Sequence, residues 1–341
     1  MRTKLADERK EAIETPEIEQ LEYDENSPRV STGSTLLDLA ISGDTFYEGG
    51  LPGGIFVEIF GPSGAGKTVV LCQIAGNLFK QGGKILFRDP EARLNAQFAK
   101  MFGMDIEEII YDTPDTVTEV FEPIRKWKPE PDDKLHGVFI DSMAALSTDM
   151  EMDGTDKMGM RRAKEFSESM RKVCRVITQK GFLVVGSNQV RQNMDAGPYG
   201  EKEVSPGGKA LAFYASVRLK CSNPKKLKVK KMFHGNEIER VVGVCTEITV
   251  AKNSVNKPYR SASITIIFDY GIDDVRDNLI YLKKMLGAST YILGGEKVGK
   301  SLEQAINHIE SNNLEEALKA EVIEVWREIE SQFDSKRKEK N

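Results

Sequence analysis

The sequence predicts an α/β protein with a mostly parallel, twisted sheet covered by helices, and three observations predict it. Two short, almost wholly apolar runs, HGVFID (136–141) and KGFLVVGSN (180–188), have the pattern of strands buried on both faces. Between them Met160, Ala163, Phe166, Met170, Val173 and Ile177 recur at spacings of three and four, which marks an amphipathic helix over 159–178. From residue 216 this alternation gives way to adjacent strands, SVRLKC (216–221), TEITVAKN (246–253) and SASITIIF (261–268), which extend the sheet with an antiparallel ribbon edge.

Residues 1–28 are polar, charged and punctuated by Pro16 and Pro28, an arm with one short helical stretch near 3–14. The folded core opens at STGSTLLDLAISG (31–43), where capping residues precede helix-spaced leucines. GIFVEIF (54–60) reads as a strand and Lys67 to Lys80 as a helix; KILFR (84–88) is the next strand. EARLNAQFAKMFG (91–103) reads as a helix ended by Gly103, with Asp89 as its N-cap and Pro90 at its first position. From Val275 to Asn341 small helices and a glycine-rich wing, ILGGEKVGK (292–300), form a separate lobe. The expected organisation is an oligomerisation arm over 1–30, a core over 31–274 and a C-terminal lobe over 275–341.

The 341 residues suffice for one large core with appendages, and 40% apolar with 30% charged residues is the balance of a globular protein. No apolar run is long enough to span a bilayer and the charged N-terminus lacks a signal-peptide core, so the expected location is cytoplasmic, with no membrane partner. Cys72, Cys174, Cys221 and Cys245 form no CxxC pair and are expected as buried, reduced thiols. A net charge of −5 argues against coating nucleic acid by bulk attraction; a nucleic-acid surface requires local segregation of positive charge.

GPSGAGKT (61–68) follows an apolar strand and opens a helix, the arrangement that wraps a polyphosphate in backbone N–H groups at the positive end of a helix dipole. Gly61, Pro62, Ser63, Gly64, Ala65, Gly66, Lys67, Thr68 and Val69 make this cradle: Lys67 reaches the β- and γ-phosphates of ATP, and Thr68 ligates Mg²⁺. Asp141, closing VFID, is the second metal-site residue, holding Mg²⁺ from outside its direct ligands or through water. Glu91, in RDPEARL, is placed either to orient a water against the γ-phosphate or simply to begin a helix.

IDSMAAL (140–146), SNQVR (187–191), PGGKALAFYASVRL (206–219), VAKN (250–253) and FDYGID (268–273) resemble, in that order, the bacterial RecA recombinases. STGSTLLDLA before the cradle and EKVGK in the terminal lobe match as well, so the likeness runs from about Ser31 to the C-terminal lobe. It implies a RecA-like P-loop ATPase core, and a protein that forms helical filaments on single-stranded DNA and exchanges strands with a homologous duplex. It also implies that Glu91 activates water and that Gln189 senses the γ-phosphate. Asn95 and Phe98 take the adenine positions, although Phe98 fits the apolar face of its helix equally well.

Two loops, 147–159 and 190–206, are expected to line the DNA axis. The resemblance places Ser167 and Arg171 at phosphates, Met158 and Met194 against bases and Arg191 among the DNA-binding residues, with Gly207, Gly208 and Lys209 holding a further phosphate. KKLKVKK (225–231) reads as a hairpin insertion, either an accessory duplex-DNA contact or a solvated hairpin.

The chain departs from the family pattern in three places. Lys252 matches the first of two lysines that cross to the neighbouring subunit's γ-phosphate, but Ser254 stands at the second, with Lys257 nearby. DTFYEGG (44–50) is additional, and the tail ends KRKEKN (336–341), basic where many relatives are acidic. A hexameric ring motor on a similar core is the main alternative, disfavoured by the lysine of VAKN. A regulatory paralogue is disfavoured by Lys67, Thr68, Glu91, Asp141 and Gln189 all being present.

Overall fold

The computed structural model describes residues 28–43, 49–131, 133–148, 160–192, 203–204 and 209–333. Its central sheet has nine strands: β1 (Ile55–Gly61), β2 (Ile85–Arg88), β3 (Ile110–Asp112), β4 (Gly137–Ile140), β5 (Leu183–Gln189), β6 (Val217–Phe233), β7 (Asn236–Asn253), β8 (Ser261–Ile267) and β9 (Gly271–Ile272). Their order is β9-β8-β7-β6-β1-β5-β4-β2-β3. Every pairing from β6 to β3 is parallel, and those joining β6, β7, β8 and β9 are antiparallel.

Helices α1 (Thr35–Ser42), α2 (Lys67–Lys80), α3 (Ala96–Met101), α4 (Val117–Lys126), α5 (Met160–Lys180) and α6 (Lys209–Tyr214) accompany the sheet. Alternation along the strands divides the core. Ile55, Val57, Ile59, Leu183 and Val185 join the cluster that holds Val70, Leu71, Ile74 and Leu78 of α2. Phe56, Val184, Val138 and Ile140 face the opposite way, onto α4 and onto Phe166, Met170, Val173 and Ile177 of α5. A strand covered on both faces needs apolar residues at every position, which is why these segments lack a two-residue period.

Helices α7 (Asp274–Met285), α8 (Leu302–Ser311) and α9 (Glu315–Gln332) gather a third cluster, which includes Leu279, Leu282, Ile309, Val322 and Trp326 and also takes Leu39 from α1. Beside it, Tyr291–Leu293 and Glu296–Gly299 form the expected glycine-rich wing.

The segment 91–103 is not one helix. α3 begins only after Asn95, whose side chain accepts from Phe98 N at 2.9 Å. Asp89 is not an N-cap: its Oδ2 accepts from Arg93 N (2.7 Å), Leu94 N (2.8 Å) and the Tyr111 hydroxyl (3.0 Å). These bonds close a loop in which Ala92 has φ of +50°, so the helix cannot start before that loop ends. All four cysteines are free; Cys72 and Cys221 are buried, and Cys174 and Cys245 are half-buried. Among the described residues no helix is long and apolar enough to cross a membrane.

Candidate functional site: a nucleotide cleft at the strand ends

The parallel strands end on one edge of the sheet, and the chemistry-bearing residues leave from those ends. Gly61 of β1 lies in register with Gln189 of β5, and Ile140 of β4 lies beside Arg88 of β2, one residue before Asp141 and Asp89. This is where an open α/β sheet exposes backbone and side chains to a ligand.

A cleft of about 510 Å³ opens there, lined by Ser63, Gly64, Gly66, Lys67, Thr68 and Val69 together with Glu91, Asp141 and Gln189. Two glycines shape it. Gly66 caps α2 with φ of +82°, and a Cβ there would meet Ile266 Cδ1 at 2.2 Å. At Gly61 (φ +153°) a Cβ would meet the Cys221 carbonyl oxygen at 2.3 Å. The Lys67 ammonium donates to Gly61 O (3.0 Å) and Pro62 O (2.7 Å). Burial pushes its pKa down, while Cys221, Asp141 and Glu91 push it back up.

Asp141 is 5% exposed. Burial raises its pKa, against hydrogen bonds from the Ser187 and Thr68 hydroxyls that lower it. Glu91 leaves the Asp89 loop toward the same cleft and pairs with Arg93, Oε2 to Nη1, at 2.8 Å. Next along the chain from Asp141, the Ser142 hydroxyl is buried with no partner among the described residues, and Ser142 lines the cleft.

A nucleotide with a divalent cation fits this donor set. The backbone at Gly61 and Gly66 is shaped to a degree that a side chain would prevent, Thr68 already touches the carboxylate that would share a cation, and an orphaned hydroxyl borders the space.

Asn95 and Phe98 do not line the cleft. The Asn95 oxygen is engaged in capping α3, and half-buried Phe98 packs on the core with its ring centroid 5.1 Å from that of Phe102. The apolar wall comes instead from Val241, Val244, Ile266 and Phe268 on the antiparallel ribbon, joined by Lys226. These residues, Arg93 and the two serines 142 and 187 are absent from the sequence-based set. Strand pairing brings the ribbon beside the cradle, and no local motif announces that.

Lys252, on β7, does not line the cleft of its own chain. Its ammonium donates to Phe213 O (2.8 Å) and Ala212 O (3.1 Å) at the end of α6. Burial and then the Arg218 charge push its pKa down. Ser254 is tied by its backbone N–H to Ser216 O at 2.9 Å.

On α5 Phe166, Met170, Val173 and Ile177 are buried as the spacing predicts, Ala163 and Ser167 are half-buried, and Arg171, Lys172 and Arg175 are exposed. Met158, Met194, Gly207 and Gly208 lie outside the described residues, as do most of the loops 147–159 and 190–206, the arm and the basic tail. Arg191 and Lys209 are described in backbone only.

KKLKVKK does form a hairpin. β6 and β7 pair out to Phe233 and Asn236 around a turn at His234 and Gly235, both with positive φ. Across it Lys228 pairs with Glu239 and Lys230 with Glu237, each at 2.7 Å.

Residues 16–273 match the family model of the RecA N-terminal domain. The chain is 33% identical over 306 residues to Protein RecA of Thermus aquaticus, an alignment covering 86% of this chain and 84% of the relative. To Protein RecA of Delftia acidovorans it is 32% identical over 292 residues, covering 83% and 75% respectively.

Proposed function

The chain belongs to the RecA family and is a DNA-dependent ATPase of recombination and repair; from that premise we propose that ATP with Mg²⁺ is the nucleotide taken by the cleft. The observation that carries this reading is the convergence of Lys67, Thr68, Glu91, Asp141 and Gln189 on one space at the ends of β1, β2, β4 and β5. Backbone N–H groups of the 61–68 loop hold the phosphates, and Lys67 turns from its carbonyl partners to the β- and γ-phosphates. Thr68 and Asp141 would hold the cation, which would neutralise charge on the transferred phosphoryl. Glu91 orients and deprotonates the attacking water. Gln189 donates to the γ-phosphate from the last position of β5, so hydrolysis alters the conformation available to the loop that follows.

The protein binds DNA and oligomerises as its family does. The finer proposal is a helical filament on single-stranded DNA that pairs with a homologous duplex. Ser167, Arg171 and Arg191 serve phosphates, Met158 and Met194 serve bases, and Gly207, Gly208 and Lys209 hold a further phosphate. Lys252 crosses to the neighbour's γ-phosphate. The expected location is the cytoplasm. The test is ATP hydrolysis with and without single-stranded DNA, with electron microscopy of the same samples. Stimulated turnover with helical filaments is expected, and it is lost in Lys67→Ala. Closed rings, or turnover indifferent to DNA, would overturn the filament reading.

A further inference from the structure

We propose that Lys226, on the basic hairpin, is a phosphate-binding residue of the nucleotide cleft in its own chain. The proposal rests on the nucleotide reading of that cleft. Three cations line the space, Lys67, Arg93 and Lys226, and two carboxylates, Glu91 and Asp141. Lys67 and Arg93 balance the two carboxylates in formal charge, and Arg93 is already paired with Glu91 at 2.8 Å. Lys226 is therefore the cation that makes the cleft net positive, which a polyphosphate requires.

The hairpin's own pairing points the same way. Lys228 and Lys230 are each neutralised by a cross-strand glutamate at 2.7 Å. Lys226 instead stands in register with Val244 and has no carboxylate within ion-pair distance among the described residues. Val241, Val244, Ile266 and Phe268 beside it offer an apolar surface to a base, which leaves the ammonium to serve the phosphates. One lysine of the run 225–231 thus belongs to the cleft, while two of its neighbours belong to a solvated ladder. The hairpin thus places a charge in the cleft from within the subunit.

The test is calorimetric binding of ATP, ADP and AMP to the full chain, in Lys226→Ala, Lys226→Arg, Lys228→Ala and Lys67→Ala. Lys226 is exposed on a hairpin, so its removal leaves the core intact; thermal melting checks this. Lys226→Ala is expected to weaken ATP about tenfold, ADP less and AMP hardly at all, with arginine restoring most of the loss and Lys228→Ala without effect. If Lys226→Ala binds ATP as the parent does while Lys67→Ala does not, the proposal falls and the nucleotide reading stands. If Lys67→Ala is equally silent, the reading of the cleft falls. An equal loss for ATP and AMP would place Lys226 at the base or ribose. Weakened DNA binding with unchanged nucleotide affinity would assign the lysine to DNA. Either result overturns the phosphate role.

Discussion

Glu58, wholly buried on β1, accepts a hydrogen bond from Arg218 Nε on β6 at 2.6 Å, and its other oxygen accepts from Asn188 Nδ2 at 2.9 Å. Arg218 is in register with both Glu58 and Lys252, and its guanidinium lies 4.2 Å from the centroid of the Phe60 ring. Asn188 immediately precedes Gln189. One buried carboxylate therefore braces the strand that carries the proposed γ-phosphate sensor and the strand pair that carries the proposed inter-subunit lysine.

Removing one partner of such a pair strands a charge away from water. Arg218→Met is expected to destabilise the fold by about 3–5 kcal/mol, because buried Glu58 would lose its charged partner. Adding Glu58→Gln in the same chain should recover part of that loss. Urea unfolding of both variants checks this. A single-variant cost below about 1 kcal/mol would mean that Glu58 does not need its partner.

Glu91 is argued to act on water rather than to hold nucleotide, so binding and turnover should separate. Glu91→Gln keeps the shape of the side chain and one acceptor oxygen but cannot take a proton. Turnover with DNA is expected to fall about 10²- to 10⁴-fold while ATP affinity stays within a few-fold. A comparable loss of both would place Glu91 among the binding groups instead.

Much of this was legible before the fold was known, and the boundary of what was legible is physical. α2 runs from Lys67 to Lys80 as read, because the cradle fixes its start and Gln81 ends it just before Gly82 and Gly83. The buried strands were visible because covering both faces removes polar residues from them. α3 was misplaced because Asp89 carries the composition of a cap while its carboxylate closes a loop, and only the position of Tyr111 on β3 shows which. β3, whose Ile110–Asp112 is largely exposed, and α4, which holds Pro123 inside its span, give weak local signals. The ribbon wall of the cleft was invisible for a different reason: Lys226 and Val241 meet the cradle through strand pairing across some 160 residues of chain.

Ser254 follows directly from the strand that carries Lys252, and its backbone is fixed to Ser216. A lysine introduced there would leave an anchored backbone, so its charge could reach a neighbouring subunit without refolding the strand. Ser254→Lys is expected to raise DNA-dependent turnover or the cooperativity of filament assembly on single-stranded DNA. Unchanged turnover together with unchanged assembly would show that the second charge is not missed in this chain.

Two buried carboxyls give the fold a pH dependence of its own. Burial pushes both Asp38 and Asp277 up to about 7, against hydrogen bonds from Ser31 and Thr32 to the first and from Thr265 to the second. Asp274 lies near both, is itself raised by burial, and adds repulsion to each; Asp273 adds to that on Asp277. The unfolded chain releases these protons near pH 4, whereas the native chain keeps them until about pH 7. Across that window the native state holds more protons, so these groups make stability fall as pH rises from about 4 to about 7 and add no further slope above it. Asn at either site preserves the shape and cannot ionise. Asp38→Asn with Asp277→Asn is expected to flatten the fall in melting temperature between pH 5 and pH 7.5, and to leave the double variant more stable than the parent at the upper end. Parallel profiles for the two proteins at constant ionic strength would show that neither carboxyl holds its proton in the folded state.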